Sequence, residues 1–260
     1  MDLRLSGKVA LVTGASKGIG LAVTQALAAE GVNVVAVARS TASALTDLAP
    51  QVHPVSVDLT TADGPASAVE RAVSRFGGLD ILVNNVGAVR PRLAGFLSVT
   101  DDDWIRGLTV NLLAAVRTTR AALPHLIDRG TASIVTVSSV NAFLPDPTII
   151  DYCAAKAALT NFCKALSKEV GPQGVRVNTV SPGPVSTQLW LGDDGVAATV
   201  AKAAGGKPED VARTAVAQSA TGRFSLPQEV ADLVLLLASD RTGNVTGSDF
   251  VIDGGLVQTL

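Results

Sequence analysis

The chain predicts a doubly wound α/β fold, with one parallel sheet of about seven strands and helices on both faces. Three observations carry this expectation. Short β-branched runs alternate with Ala- and Leu-rich stretches of helical length along all 260 residues. The strand runs are almost continuously apolar, as parallel strands covered on both faces must be. A glycine-rich turn follows the first run directly, where such folds bring bare backbone up to a ligand.

Taken in order, "KVALVTG" reads as the first strand and residues 18–30 as the first helix. "NVVAVAR" is the second strand, "VHPVSVD" the third and "DILVNNV" the fourth. "SIVTVSS", "VRVNTVSPG" and "DFVIDGG" complete the set. Helical stretches are read over residues 62–76, 102–126, 152–170 and 227–238. Repeated strand–helix units imply right-handed crossovers. No low-complexity linker divides the chain, so 1–260 is read as a single domain. Residues 188–223 stand outside the rhythm and read as one or two helices broken at Gly205-Gly206. They follow the carboxyl end of a strand, where ligands bind in these sheets, and are expected to form a lid over the substrate.

The composition narrows the function. Hydrophobic residues make up 47%, charged residues 17%, and the net charge is −2, which fits a soluble globular protein without the basic excess of a nucleic-acid binder. Aromatics at 3% leave little for a base-stacking surface. The opening "MDLRLSGKVALVTG" shows no long apolar run behind a basic segment, and "ADLVLLLAS" is too short to span a bilayer, so no membrane association is expected. Cys153 and Cys163 fall ten residues apart on one helix, ~15 Å along its axis and too far for a disulfide. Two thiols without a framework suit a reducing cytoplasm, the expected location. His53 and His125 are far apart in sequence, and no metal signature is present.

"VTGASKGIG" places Gly14, Gly18 and Gly20 between the first strand and first helix. Such glycines let backbone approach a pyrophosphate whose charge sits at a helix N-terminus. Gly14, Ser16, Lys17, Gly18, Ile19 and Gly20 are therefore cofactor-site candidates. The second strand ends in Arg39-Ser40, where a carboxylate would be expected for a ribose 2′-hydroxyl. Arg39 with Lys17 in the loop suits a 2′-phosphate, so the cofactor expected is NADP(H). Asp58 and Leu59, after the third strand, are candidates for the adenine, although Asp58 reads equally as a helix cap or turn residue.

Tyr152 is the only tyrosine, one helical turn before Lys156. A free phenol has a pKa of about 10, and a neighbouring cation favours the phenolate, which tunes it for proton transfer. Upstream lie Ser138 and Ser139, and a serine hydroxyl can hold a carbonyl oxygen as charge develops.

With "TGASKGIG", "NNVG" at residues 84–87, Asn111 in "TVNLL", Ser139, "YCAAK" and "SPGPVST", the chain resembles the short-chain dehydrogenase/reductase family in its single-domain, Rossmann-fold form, over essentially its full length. That resemblance implies Tyr152 as general acid/base and Lys156 as the residue that binds the nicotinamide ribose and lowers the Tyr pKa. It selects Ser139, thirteen residues before Tyr152, over Ser138, and implies that Asn111 helps hold a relay water. Asn85, Gly87, Pro182, Gly183, Val185 and Thr187 match cofactor-contacting positions. Val86 departs from the family's usual Ala. The implied substrate pocket draws on Val89, Asn141, Phe143, Leu144, Ile149, Leu189, Trp190 and Leu191, with Arg90 and Arg92 as carboxylate partners or as ion-pair partners of Asp101–Asp103. The implied activity is hydride transfer between NADP(H) and a small carbonyl or alcohol, in a homotetramer or homodimer. The alternatives are a 3-ketoacyl-thioester reductase acting on an acyl carrier protein, and a catalytically silent NADP-binding regulatory protein.

Overall fold

The computed structural model describes residues 2–40, 43–48 and 50–259. Seven strands form one all-parallel sheet: β1 (Val9–Thr13), β2 (Asn33–Ala38), β3 (Val52–Ser56), β4 (Ile81–Asn84), β5 (Ala132–Val137), β6 (Val175–Pro182) and β7 (Asp249–Ile252). Their order is β3-β2-β1-β4-β5-β6-β7. The chain moves outward from β1 to β3, then returns to place β4 on the other side of β1. That reversal opens a crevice at the carboxyl ends of β1 and β4.

Successive strand residues point to opposite faces, and the core divides accordingly. Ala10 and Val12 of β1 pack with Val23 and Leu27 of helix α1 (Gly18–Ala29). Val9 and Leu11 face the other layer with Leu126, Leu159 and Val170. β1 is buried throughout, whereas on edge strand β7 Asp249 and Val251 are exposed.

A short helix α2 (Ser43–Thr46) precedes β3, and α3 (Gly64–Phe76) follows it. Residues 102–126 were read as one helix. They lie within α4 (Asp101–Leu108), a π-turn over Thr109–Leu113 and α5 (Ala114–Asp128). Thr100 starts α4 with a capping box, accepting from the Asp103 N–H while the Asp103 carboxylate accepts from the Thr100 N–H. Helix α6 (Ile150–Val170) begins two residues ahead of Tyr152, behind Pro147. Among the described residues no helix is long and apolar enough to cross a membrane. Cys153 and Cys163 are free and buried.

The out-of-rhythm segment contains three helices: α7 (Gln188–Leu191), α8 (Val196–Ala204) and α9 (Pro208–Ala217). The break falls at Gly205, as expected, because its φ of +68° is left-handed backbone that favours glycine. The two ends of the segment are clamped together. Val185 bridges Ser225, Ser186 N–H donates to Ser225 O at 2.9 Å, and Ser225 N–H donates to Pro184 O at 3.0 Å. Helix α10 (Pro227–Ala238) then packs on α1.

Candidate active site

The crevice opens into a cavity of about 1020 Å³, lined from both sheet halves and the 188–223 segment. Its first wall is the glycine turn. Gly14 and Gly18 have φ of +67° and +54°. A Cβ on Gly20 would lie 2.2 Å from Gly14 O and 2.5 Å from Asn85 Nδ2, so helix α1 packs onto the turn only with glycine there. Gly20 thus shapes the wall from behind, while Gly14, Ser16, Lys17, Gly18 and Ile19 line it. Lys17 is the N-cap of α1 and makes no side-chain cap, which leaves the first helical N–H groups available to an anion.

Asn85 locks this wall to β4. Its Nδ2 donates to Thr13 O at 2.9 Å and its N–H to Thr13 Oγ1 at 2.8 Å. Farther along, Arg39, Asp58 and Leu59 line the cavity, whereas Ser40 does not. That corrects the expectation for Ser40. It follows Arg39 in the bend after β2, where its side chain is exposed. Asp58 Oδ1 accepts from the N–H and Oγ1 of Thr60, at 2.9 and 2.7 Å, so the turn role foreseen for it is filled at the cavity wall.

The floor holds the catalytic candidates. Tyr152, Lys156 and Ser139 line the cavity together, and Asn111 lies beneath, buried. The π-turn widens the helix at Asn111, a feature often found at functional sites. Asn111 Oδ1 accepts from Ala88 N–H at 2.9 Å, and its Nδ2 donates to Ala88 O at 2.9 Å and Gly107 O at 3.0 Å. A Cβ on Gly87 would meet Asn111 Oδ1 at 3.1 Å and Lys156 Nζ at 3.6 Å, so glycine at this position lets both approach. Lys156 is buried and donates to Val137 O at 2.8 Å. Ser139 Oγ accepts from Asn141 N–H and donates to Asn141 Oδ1, both at 3.2 Å. Ser138 instead shares a 2.6 Å hydrogen bond with Thr160, as a strand-end hydroxyl would.

The expected electrostatics need correction. Burial pushes the Tyr152 phenol up to about 12, against the opposing effect of its hydrogen bond with Ser139. The Lys156 ammonium lies over the Tyr152 ring, 5.7 Å from the centroid. Burial also brings the Lys156 ammonium down to about 8. Desolvation is the largest influence in both groups, ahead of the Ser139 hydrogen bond at Tyr152 and the Cys163 charge at Lys156.

The third wall comes from the carboxyl end of β6 and beyond. Pro182, Gly183, Val185 and Thr187 line the cavity. A Cβ on Gly18 would touch Thr187 Cγ2 at 3.2 Å, which places Thr187 against the glycine turn. Of the substrate-side expectations, Val89, Asn141, Leu144, Ile149, Leu189 and Trp190 line the cavity. Phe143 and Leu191 do not; both are exposed. Trp190 also meets Phe224 edge-on, with ring centroids 5.7 Å apart. Arg90 lies outside the lining. Arg92 is committed to Asp151 at 2.6 Å and Asp103 at 3.0 Å, as its ion-pair reading foresaw.

Sequence reasoning missed the faces of α8 and α9. Val196 and Val200, then Val211, Thr214, Ala215 and Gln218, line the cavity at helical spacing. It also missed Leu256. Asp253 presents that residue, accepting from the N–H groups of Gly255 at 2.8 Å and Val257 at 2.7 Å.

Comparison with known proteins agrees with this layout. Residues 8–193 match the family model described as short chain dehydrogenase. The chain is 35% identical to a 3-oxoacyl-(acyl-carrier-protein) reductase of Thermotoga maritima, covering 98% of this chain and 100% of that protein. It is equally 35% identical to a 3-alpha-(or 20-beta)-hydroxysteroid dehydrogenase of Mycobacterium tuberculosis, covering 100% and 93%. In structure it superposes on L-sorbose reductase from Gluconobacter frateurii, solved with NADPH and L-sorbose. The TM-score is 0.91 at 34% identity, over 100% of both chains.

Proposed function

The chain belongs to the short-chain dehydrogenase/reductase family, and from that premise we propose that it is an NADP(H)-dependent oxidoreductase interconverting a ketone or aldehyde and the alcohol. The observation that carries the reading is the meeting of Ser139, Tyr152 and Lys156 on one floor, in the same cavity as the uncapped α1 N-terminus. The glycine cradle fits a dinucleotide, since bare backbone stands where a side chain would fill the space. Gly14 to Ile19 take the pyrophosphate end. Lys17 and Arg39 supply two cations for a 2′-phosphate at the end of β2. The structural neighbour solved with NADPH supports the same choice.

When bound, NADPH supplies the hydride. The remaining work falls to this chain's side chains. The Ser139 hydroxyl donates to the carbonyl oxygen and stabilises its developing charge. The Tyr152 hydroxyl delivers the proton to that oxygen, or accepts it in the oxidative direction. Lys156, next to the Tyr152 ring, offsets the phenolate charge left behind. Asn111 fixes the Gly87-Ala88 backbone against which Lys156 sits. Residues 188–223 close the substrate side as a lid hinged where Val185 meets Ser225. Self-association into a homotetramer or homodimer through helices at 102–126 and 152–170 belongs to the same reading, and sedimentation velocity checks it.

The test is a ketone and alcohol panel assayed with NADPH and NADH, for the unmodified chain and Tyr152→Phe. NADPH-linked turnover that depends on Tyr152 is expected. Turnover unaffected by the Phe variant, or no binding of either dinucleotide, overturns the reading. A second reading, reduction of a 3-oxoacyl thioester on a carrier protein, is favoured by the full-length similarity to such reductases.

A further inference from the structure

The two ends of the cavity differ in charge. The cofactor end carries Lys17 and Arg39 beside the carboxylate of Asp58, with Lys156 on the floor. At the substrate end, among the described lining residues, the charged side chains are the carboxylates of Asp146 and Asp210. Asp146 Oδ1 accepts from the N–H and Oγ1 of Thr148, at 2.8 and 2.7 Å, within its own loop. Asp210 meets Arg213 at 3.2 Å in an exposed pair, a contact that solvent largely screens.

Among the described residues, two nearby arginines are ion-paired, and Arg90, exposed between the lining residues Val89 and Pro91, lies outside the lining. Arg92 is held between Asp103 and Asp151, and Arg223 donates to both oxygens of Glu229. Lys156 donates to Val137 O beside Tyr152, at the reacting centre rather than along the chamber. The remaining surface of the chamber is mainly apolar. Val196 and Val200 of α8 and Val211 and Ala215 of α9 form one wall, with Leu144 and Leu256 completing it. An anion brought here would lose hydration, find no cation among the described residues lining this wall, and face two carboxylates.

Resting on the reductase reading above, we propose that the substrate is an uncharged carbonyl compound with an apolar body laid against the α8–α9 wall. The chamber discriminates against carboxylates and phosphate esters. The polar groups Thr214 and Gln218 on the α9 face serve neutral hydrogen-bonding substituents along that body.

The test uses three ketones on one skeleton: benzylacetone, its para-carboxylate and its para-aminomethyl analogue. Turnover with NADPH is measured for each. Binding of the three corresponding alcohols to the NADPH-saturated protein is measured by calorimetry, which does not require chemistry. The neutral compound is expected to exceed the carboxylate by about tenfold or more in both kcat/KM and affinity, with the amine above the carboxylate. Thr214→Lys is expected to raise the carboxylate-to-neutral ratio several-fold by placing a cation on the wall. A carboxylate that matches or exceeds the neutral compound overturns the proposal while its turnover leaves the reductase reading standing. Binding with the neutral preference but no reduction of any ketone supports the charge selection and removes the reductase reading. No binding by any of the three alcohols overturns the proposal, as does a ratio unmoved by Thr214→Lys.

Discussion

The glycine turn and the 188–223 segment border the same cavity but are held in different ways. At the turn, backbone approaches backbone. A Cβ at Gly20 would strike Gly14 O, and Asn85 ties the turn to β1 with hydrogen bonds. Little can vary there without moving the wall. The segment is clamped at its base by the Val185–Ser225 bridge, and between its ends the side chains it buries are small: Ala197, Ala201, Val216 and Ser219. Its cavity face on the two later helices mixes Val196, Val200, Val211 and Ala215 with the polar Thr214 and Gln218. The contrast teaches where constraint lies. Chemistry shared by a family is carried by close approaches that tolerate one residue type, and selectivity by a wall tied down at its ends. The family match stops at residue 193, before α8 and α9 begin.

The sharpest way to break this comparison is to change the reacting floor and leave both walls alone. Tyr152→Phe keeps the ring over which Lys156 lies and removes only the hydroxyl. The expected result is a fall in kcat of about 10²–10⁴-fold with little change in NADPH affinity. Steady-state rates and a fluorescence titration of the cofactor check both halves. A variant that retains most of its activity would move the proton donor elsewhere.

Next comes the rigid wall. Arg39 stands at the end of β2 with its side chain exposed and lining the cavity. A charge-assisted contact to a phosphate contributes about 1.5–3 kcal/mol, so Arg39→Asp should weaken NADPH roughly ten- to hundredfold and add repulsion. The preference is expected to turn towards NADH without change in substrate range. Equal affinity of the unmodified chain for both dinucleotides would contradict the assignment.

How far each wall could be read in the sequence follows from the same contrast. Glycine in a turn, or Tyr four residues before Lys, names its task through residue type and spacing. Gly14, Gly18, Tyr152 and Lys156 could be placed on the cavity wall for that reason. Val200 and Val211 were not, because a valine on an amphipathic helix looks the same whether it faces a core or a cavity. Leu256 was invisible for another reason: the Asp253 carboxylate, gathering two backbone N–H groups in the tertiary fold, sets where it points. Ser40 and Phe143 fail by one residue each, beside Arg39 and Leu144, because side-chain direction is decided by local backbone rather than by motif. The phenol shift went the other way because its burial, unlike its spacing from Lys156, cannot be counted along a chain.

Titration of the floor gives a smaller effect, and its sign is fixed by burial. Lys156 falls from 10.5 to about 8. Between those values the unfolded chain holds a proton that the folded chain has lost, so stability rises with pH across the window, and the burial cost is complete below it. Tyr152 moves oppositely, from 10.0 to about 12, and its contribution is lost as pH climbs through that range. Urea midpoints of the unmodified chain and Lys156→Met, compared from neutral pH to about 10.5, should converge or cross in favour of lysine as pH rises. A pH-independent difference would mean that Lys156 is not desolvated in solution.

The smallest expected effect tests the other wall. Trp190 begins the segment just past Thr187 and has two contacts, the cavity and Phe224. Its edge-on contact with Phe224, at 69° between planes, anchors α7 to the base of the segment. Such a pair contributes about 0.5–1.5 kcal/mol, too little to unfold the chain when removed. Trp190→Ala should therefore raise KM for bulky ketones by a few-fold, or shift which are accepted, and leave NADPH binding unchanged. If residues 188–223 close as a lid, amides in α8 and α9 should exchange faster than those in β1 and α1, and slow when NADPH and an alcohol are added together. The small buried side chains of α8 and α9 argue for that difference. Strong and equal protection in both states would instead make the segment as fixed as the glycine turn. The contrast between the two walls would then lie in composition alone and not in motion.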